Sequence, residues 1–174
     1  FPREELVHRL PALIDFAGFA GGLLGPGLAR HEQVARARVS MTQVIQRRLF
    51  IPVFQPIARI DDFRVVGYEA LTRFRDGTRP DLRFAEAAAL GLGTQLEIAC
   101  LRAAEEAARS LPPFVYLSMN VSPALILEHG PLMDLLRQTP REIVLEITEH
   151  VPVEDYFMLR AAIADLGGEV TIAV

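Results

Sequence analysis

Apolar and polar residues change rhythm several times along this chain, and the changes mark its elements. Over Glu4 to Phe19, Leu6, Leu10, Leu13 and Phe16 or Ala17 recur at helical spacing. The run Gly21-Gly22-Leu23-Leu24-Gly25-Pro26-Gly27 breaks that stripe. A second helix is predicted over His31 to Arg48, with Val34, Ala37 or Arg38, Met41, and Val44 or Ile45 on one side. Its near-heptad spacing suits pairing with another helix and equally suits packing on its own domain. From Leu49 onward, β-rich runs alternate with helices. Phe50 to Ile57, Arg64 to Thr72, Val115 to Val121, Glu142 to Thr148 and Glu169 to Val174 read as strands, with a hairpin turn at Asp61-Asp62.

Phe84 to Leu111 reads as one long helix that Pro112-Pro113 end. Its predicted buried stripe is Leu92, Leu96, Ala99, Ala103 and Ala107, with Glu97, Arg102, Glu105, Glu106 and Arg109 facing water. Shorter helices are predicted over Pro131 to Gln138 and Glu154 to Leu166, the second with Tyr156, Leu159, Ile163 and Leu166 inward and Gly167 as its cap. Strand–helix alternation after the hairpin predicts an α/β fold around a parallel sheet, open or closed.

Composition narrows the picture. With 174 residues, 51% of them apolar, the chain suits one domain or a piece of a larger one. A net charge of −4 gives no electrostatic reason to bind a nucleic-acid polymer or an anionic membrane. All 18 basic residues are Arg, which excludes a P-loop, a Schiff base and any lysine-dependent mechanism within these residues. Cys100 is the sole cysteine, so no internal disulfide forms and a reducing compartment is expected; in its Ala-rich helix it reads as a small buried hydrophobe. Leu10 to Ala29 carries Asp15 as its single charge, but 5 glycines and 2 prolines argue against a membrane span. No basic segment precedes an apolar run in the manner of a signal peptide, and a cytoplasmic protein is expected.

The candidate chemistry sits at strand ends. Glu69 in Glu69-Ala70-Leu71, Asn120 in Ser118-Met119-Asn120-Val121-Ser122-Pro123, and Glu146 with Glu149 in Glu146-Ile147-Thr148-Glu149 put oxygen donors near the downstream ends of three strands. Side chains alternate along a strand, so Glu69, Leu71 and Arg73 share one face, Tyr116, Ser118 and Asn120 another, and Val144, Glu146 and Thr148 a third. Glu69 and Arg73 lie about 13 Å apart along their strand, which suits a cation low in the site and an anion higher up. Glu146, flanked by Leu145 and Ile147, needs a cation or donor to offset desolvation of its charge. Two carboxylates and an amide oxygen supply half of an octahedral Mg²⁺ or Mn²⁺ shell, at the mouth of a parallel barrel. The same residues also allow a plainer reading, in which Glu69 pairs with an Arg and Asn120 caps the turn before Pro123. His150 shares the parity of Glu146 and is a weaker ligand candidate.

The motifs together resemble the EAL domain family, the cyclic di-GMP phosphodiesterases of bacterial signalling. The resemblance is carried by Phe54-Gln55-Pro56-Ile57 and Gly67-Tyr68-Glu69-Ala70-Leu71-Thr72-Arg73-Phe74. Phe84-Ala85-Glu86, Gly91-Leu92 and Leu96-Glu97 look like the family's first long helix, and Asn120-Val121-Ser122-Pro123 and Glu146-Ile147-Thr148-Glu149 follow in order. The resemblance covers Leu49 to Val174 and implies a partial modified TIM barrel with an antiparallel first strand. It further implies Glu69, Asn120 and Glu146 as metal ligands, Glu69 and Glu146 thereby belonging to the catalytic set. Gln55, Leu71 and Arg73 would line a dinucleotide pocket, and Glu149 would support a loop. Phe74 stands where the family commonly has Trp and is expected to keep an aromatic wall.

The implied reaction opens one phosphodiester bond of cyclic di-GMP, with two ions of Mg²⁺ or Mn²⁺. The family's Asp-Asp motif, lysine, and later Glu and Gln fall outside the sequence, and a TIM barrel takes about 250 residues. The chain by itself is therefore expected to lack turnover and to need its missing half, or another chain, to fold stably. A degenerate module that binds cyclic di-GMP or a protein without catalysis is the alternative. Residues 1–48 resemble the last helix of a GAF-type sensor and a signalling linker, which suggests a homodimer through residues 31–48 or through the barrel.

Overall fold

The computed structural model describes residues 14–15, 27, 29–148, 156–166 and 170–173. Two compact units divide the chain, Phe1–Ser40 and Met41–Val174. In the first, residues 29–40 are helical, the His31 ring bonds the Gly27 carbonyl oxygen at 2.7 Å, and Arg36 pairs with Glu32 at 3.2 Å. The helix expected over Glu4 to Phe19 lies almost wholly outside the described residues. No described helix is long and apolar enough to cross a membrane.

The second unit opens on helical residues 41–46 (α1), followed by β1 (Phe50–Ala58), β2 (Val65–Phe74), α2 (Pro80–Ala89) and α3 (Gly93–Ala108). Then come β3 (Tyr116–Val121), α4 (Pro123–Glu128), α5 (Gly130–Gln138), β4 (Ile143–Ile147), α6 (Tyr156–Asp165) and β5 (Val170–Ala173). The strands form one sheet in the order β1-β2-β3-β4-β5, so spatial order equals chain order. β1 runs antiparallel to β2, and the remaining neighbours are parallel. This is the expected α/β arrangement with an antiparallel first strand.

Alternation of side chains gives the sheet two chemically different faces. Leu117, Met119 and Val121 of β3 and Ile143 and Leu145 of β4 are buried on one face, against the apolar sides of α3, α4, α5 and α6. Full burial of each such side chain contributes about 1.5–3 kcal/mol. The opposite face carries the polar residues taken up below. A second cluster joins Met41 and Val44 of α1 to Phe50, Phe74, Leu92, Leu96 and Cys100. Met41 and Val44 thus pack on their own domain, one of the two outcomes their spacing allowed.

Three helical expectations need correction. The long helix expected over Phe84 to Leu111 is two helices, because Gly91 adopts φ 67° and interrupts the helical backbone between them. A short helix, α4, starts directly at Pro123, where Ser122 accepts from the Leu125 N–H at 3.2 Å as its cap. Glu97 and Glu105 do not simply face water: Glu105 is buried while holding Arg109 at 3.0 Å, and Glu97 turns toward Ser122.

Candidate active site

The polar face of the sheet collects the predicted oxygen donors. Register pairs Gln55 with Glu69, Glu69 with Ser118, and Asn120 with Glu146, so the donors occupy adjacent rows on β1 to β4. Asn120 donates from Nδ2 to Glu69 Oε1 at 2.9 Å. Ser118 donates from its hydroxyl to Glu146 Oε1. Glu69, Asn120 and Glu146 are half-buried, open enough to reach a ligand, while Ser118 is fully buried. The role of cap before Pro123 falls to Ser122, and Asn120 is left to the carboxylate row.

The turn that follows Asn120 is held from two sides. Glu97 of α3 accepts from the Ser122 backbone N–H, and also from the Ser122 hydroxyl at 2.7 Å. Burial raises the Glu97 carboxyl above its ordinary value, against the lowering effect of those hydrogen bonds. From the other side the Thr148 N–H donates to the Val121 carbonyl at 3.0 Å, tying the end of β4 to the end of β3. Sequence reasoning missed Glu97 because its helical position suggests solvent. Ser118 it placed on the correct face without giving it a role.

Other predicted residues separate cleanly. Leu71 is half-buried opposite Val53. Gln55 is exposed on β1, and Arg73 is exposed at the end of β2, where its guanidinium donates to the Thr72 carbonyl at 3.1 Å. Phe74 does not form a wall beside Arg73, because alternation turns it to the opposite face. There it is buried, with its ring edge-on to Phe50 at 6.1 Å and to Phe84 at 5.9 Å. Glu149 and His150 lie outside the described residues.

Among the described residues no three His, Cys, Asp or Glu side chains gather as a metal-binding group. What the strands bring together is two carboxylates and one amide. The Asn120–Glu69 hydrogen bond engages the amide nitrogen and a single carboxylate oxygen. It leaves the chemistry of the amide oxygen and the second carboxylate oxygen compatible with a hard divalent cation. A cavity of about 430 Å³ lined by Glu105, Arg109, Leu117 and Arg141 lies instead at the amino-terminal ends of β3 and β4, and holds none of these donors.

The profile of a known family, the EAL domain, matches residues 36–172. The chain belongs to the EAL domain family. No curated protein matches it. Among solved structures, this EAL chain is similar to Klebsiella pneumoniae BlrP1 in a calcium and cyclic di-GMP complex, at 25% identity and a TM-score of 0.57, covering 68% of this chain and 32% of that one. BlrP1 in a manganese and cyclic di-GMP complex gives 24% identity and a TM-score of 0.61 over 72% and 34%. The Bacillus subtilis YkuI protein, with an EAL domain and in complex with substrate cyclic di-GMP and calcium, gives 22% and 0.61 over 79% and 38%. The chain thus spans about a third of the length of the BlrP1 structures it matches.

Proposed function

We propose that the EAL domain to which this chain contributes hydrolyses one phosphodiester bond of cyclic di-GMP, releasing a linear dinucleotide. The observation that carries the reading is the placement of Glu69, Asn120 and Glu146 in adjacent rows on three neighbouring strands, with the Asn120–Glu69 hydrogen bond between them. Membership of the EAL family supports it, as do relatives solved with cyclic di-GMP and a divalent ion. Glu69, Asn120 and Glu146 would hold divalent metal, Mg²⁺ or Mn²⁺, with two ions in a complete site. When bound, the ions supply a polarised water and stabilise charge on the phosphate oxygens.

The chain's own residues bind and orient. Arg73 offers an always-charged fork, matched to a phosphate, at the open end of β2. Leu71 beside it and Gln55 opposite Glu69 line the pocket with less charged surface. We assign Glu149 the support of the loop after the fifth strand, residues 1–48 the role of a helical linker, and the pairing of two copies to residues 31–48 or to the barrel. The setting is the cytoplasm, where the second messenger is made and consumed.

The test is turnover of cyclic di-GMP by the full-length protein with Mg²⁺ or Mn²⁺, followed by chromatography of the linear product. Glu69→Gln and Glu146→Gln are each expected to reduce kcat by more than about 100-fold. Arg73→Ala is expected to act chiefly on KM. Undiminished turnover in Glu146→Gln would overturn the reading.

A further inference from the structure

β3 stands between the two carboxylate-bearing strands and gives a donor to each. Asn120 reaches Glu69 on β2, and Ser118 reaches Glu146 on β4. The Asn120 contact belongs to the row already described. The Ser118 contact has no part in that reading, yet it is the more unusual of the two.

Ser118 is 0% exposed and lies between Leu117 and Met119, both also fully buried. A hydroxyl in such a place is costly unless its hydrogen bond is made, and here it donates to a carboxyl oxygen of Glu146. The register sharpens the point. Ser118 lies opposite Val144, two residues before Glu146, while Glu146 itself lies opposite Asn120. The Glu146 side chain therefore leans back along β4 to meet the hydroxyl. A free glutamate has a broad terminal torsion. Fixing one oxygen on a buried, immobile donor sets the direction of the other.

We propose that Ser118 is a positioning residue for Glu146: its hydroxyl holds Oε1, so that Oε2 is the oxygen offered to the divalent ion. The proposal rests on the metal reading given under Proposed function. It assigns β3 a double task. Asn120 contributes to the row directly, and Ser118 acts through the carboxylate of its neighbour. Partners that orient a ligand from behind commonly change metal affinity about 10- to 100-fold when removed.

Mn²⁺ binding to the full-length protein, measured by calorimetry and by the paramagnetic resonance signal of free Mn²⁺, tests this without reference to turnover. Ser118→Ala deletes a single buried atom and is expected to keep the parent's thermal transition while weakening Mn²⁺ by about 10-fold or more. Ser118→Thr, which restores the hydroxyl, is expected to return affinity to within about threefold of the parent. Glu146→Gln is the control for loss of the ligand itself. If the parent binds Mn²⁺ and Glu146→Gln does not, while Ser118→Ala binds as the parent does, the positioning role is wrong and the metal reading survives. A Thr variant as weak as the Ala variant, at an equal thermal transition, likewise overturns the role. A parent that binds no Mn²⁺ removes the metal reading and the proposal together.

Discussion

Cys100 illustrates what burial does to a single reactive group. Its side chain packs among Met41, Phe74 and Leu96, and loss of water pushes its thiol up to about 12, despite a hydrogen bond with Thr72. A thiol so placed carries almost no thiolate near neutral pH. Iodoacetamide at pH 8 is therefore expected to leave Cys100 unmodified in the folded chain and to alkylate it once urea unfolds the protein, as intact-mass measurement would record. Rapid labelling of the native chain would contradict the packing around it. Gly67 is constrained in another manner: a Cβ there would lie 2.5 Å from the Tyr116 ring, its register partner on β3. The ring covers the glycine at the lower end of the site face, and only a residue without a side chain allows that approach.

At the scale of elements, α3 acts as a clamp on the turn after β3. Glu97→Ala removes both acceptors from Ser122 and is expected to lower the unfolding free energy by about 2 kcal/mol, whereas Glu97→Gln keeps one acceptor without a buried charge and should stay within about 1 kcal/mol. The carboxyl is raised from an ordinary 4.5, so the unfolded chain releases this proton first as pH increases. Its contribution to stability is then greatest below 4.5 and declines as pH rises through the folded value, a decline that Glu97→Gln should flatten. Urea titrations at several pH values measure both effects. At the other end of the same helix, Arg141 donates to the carbonyls of Ala108, Leu111, Pro112 and Val115, closing groups that the helix end leaves open.

These two clamps mark the limit of what the sequence discloses. Strands were legible because alternation is local: parity set which residues share a side within each strand, and the sheet register then brings Glu69, Ser118, Asn120 and Glu146 to one face. The break at Gly91 was not, since a helical stripe continues in the letters while the backbone leaves the helical conformation. Nor was the inward turn of Glu97, whose partner lies 25 residues away. Phe74 shows the converse: read by family position it looked like a pocket wall, and strand alternation alone would have sent it to the core.

Within the second unit, the described helices pack against the apolar face of the sheet, and β1 and β5 stand at its edges. β1 is blunted by Pro52, Pro56 and an irregularity at Ile57/Ala58. Ile51 is nonetheless 46% exposed on the edge strand. The isolated 174-residue chain is expected to associate with itself, its elution from size-exclusion columns moving earlier as concentration rises. A concentration-independent monomer would mean that these edge devices suffice.

The match between chain order and sheet order also governs how the site comes into being during synthesis. Glu69 leaves the ribosome 51 residues ahead of Asn120. At about 5–20 residues per second, the β1–β2 hairpin waits several seconds for its next strand. Throughout that wait, a hydrated carboxylate marks the surface on which β3 must later dock. The charge that eventually meets an amide stands, until then, on a strand whose β3 side is unpaired, where a charged side chain disfavours pairing with another chain.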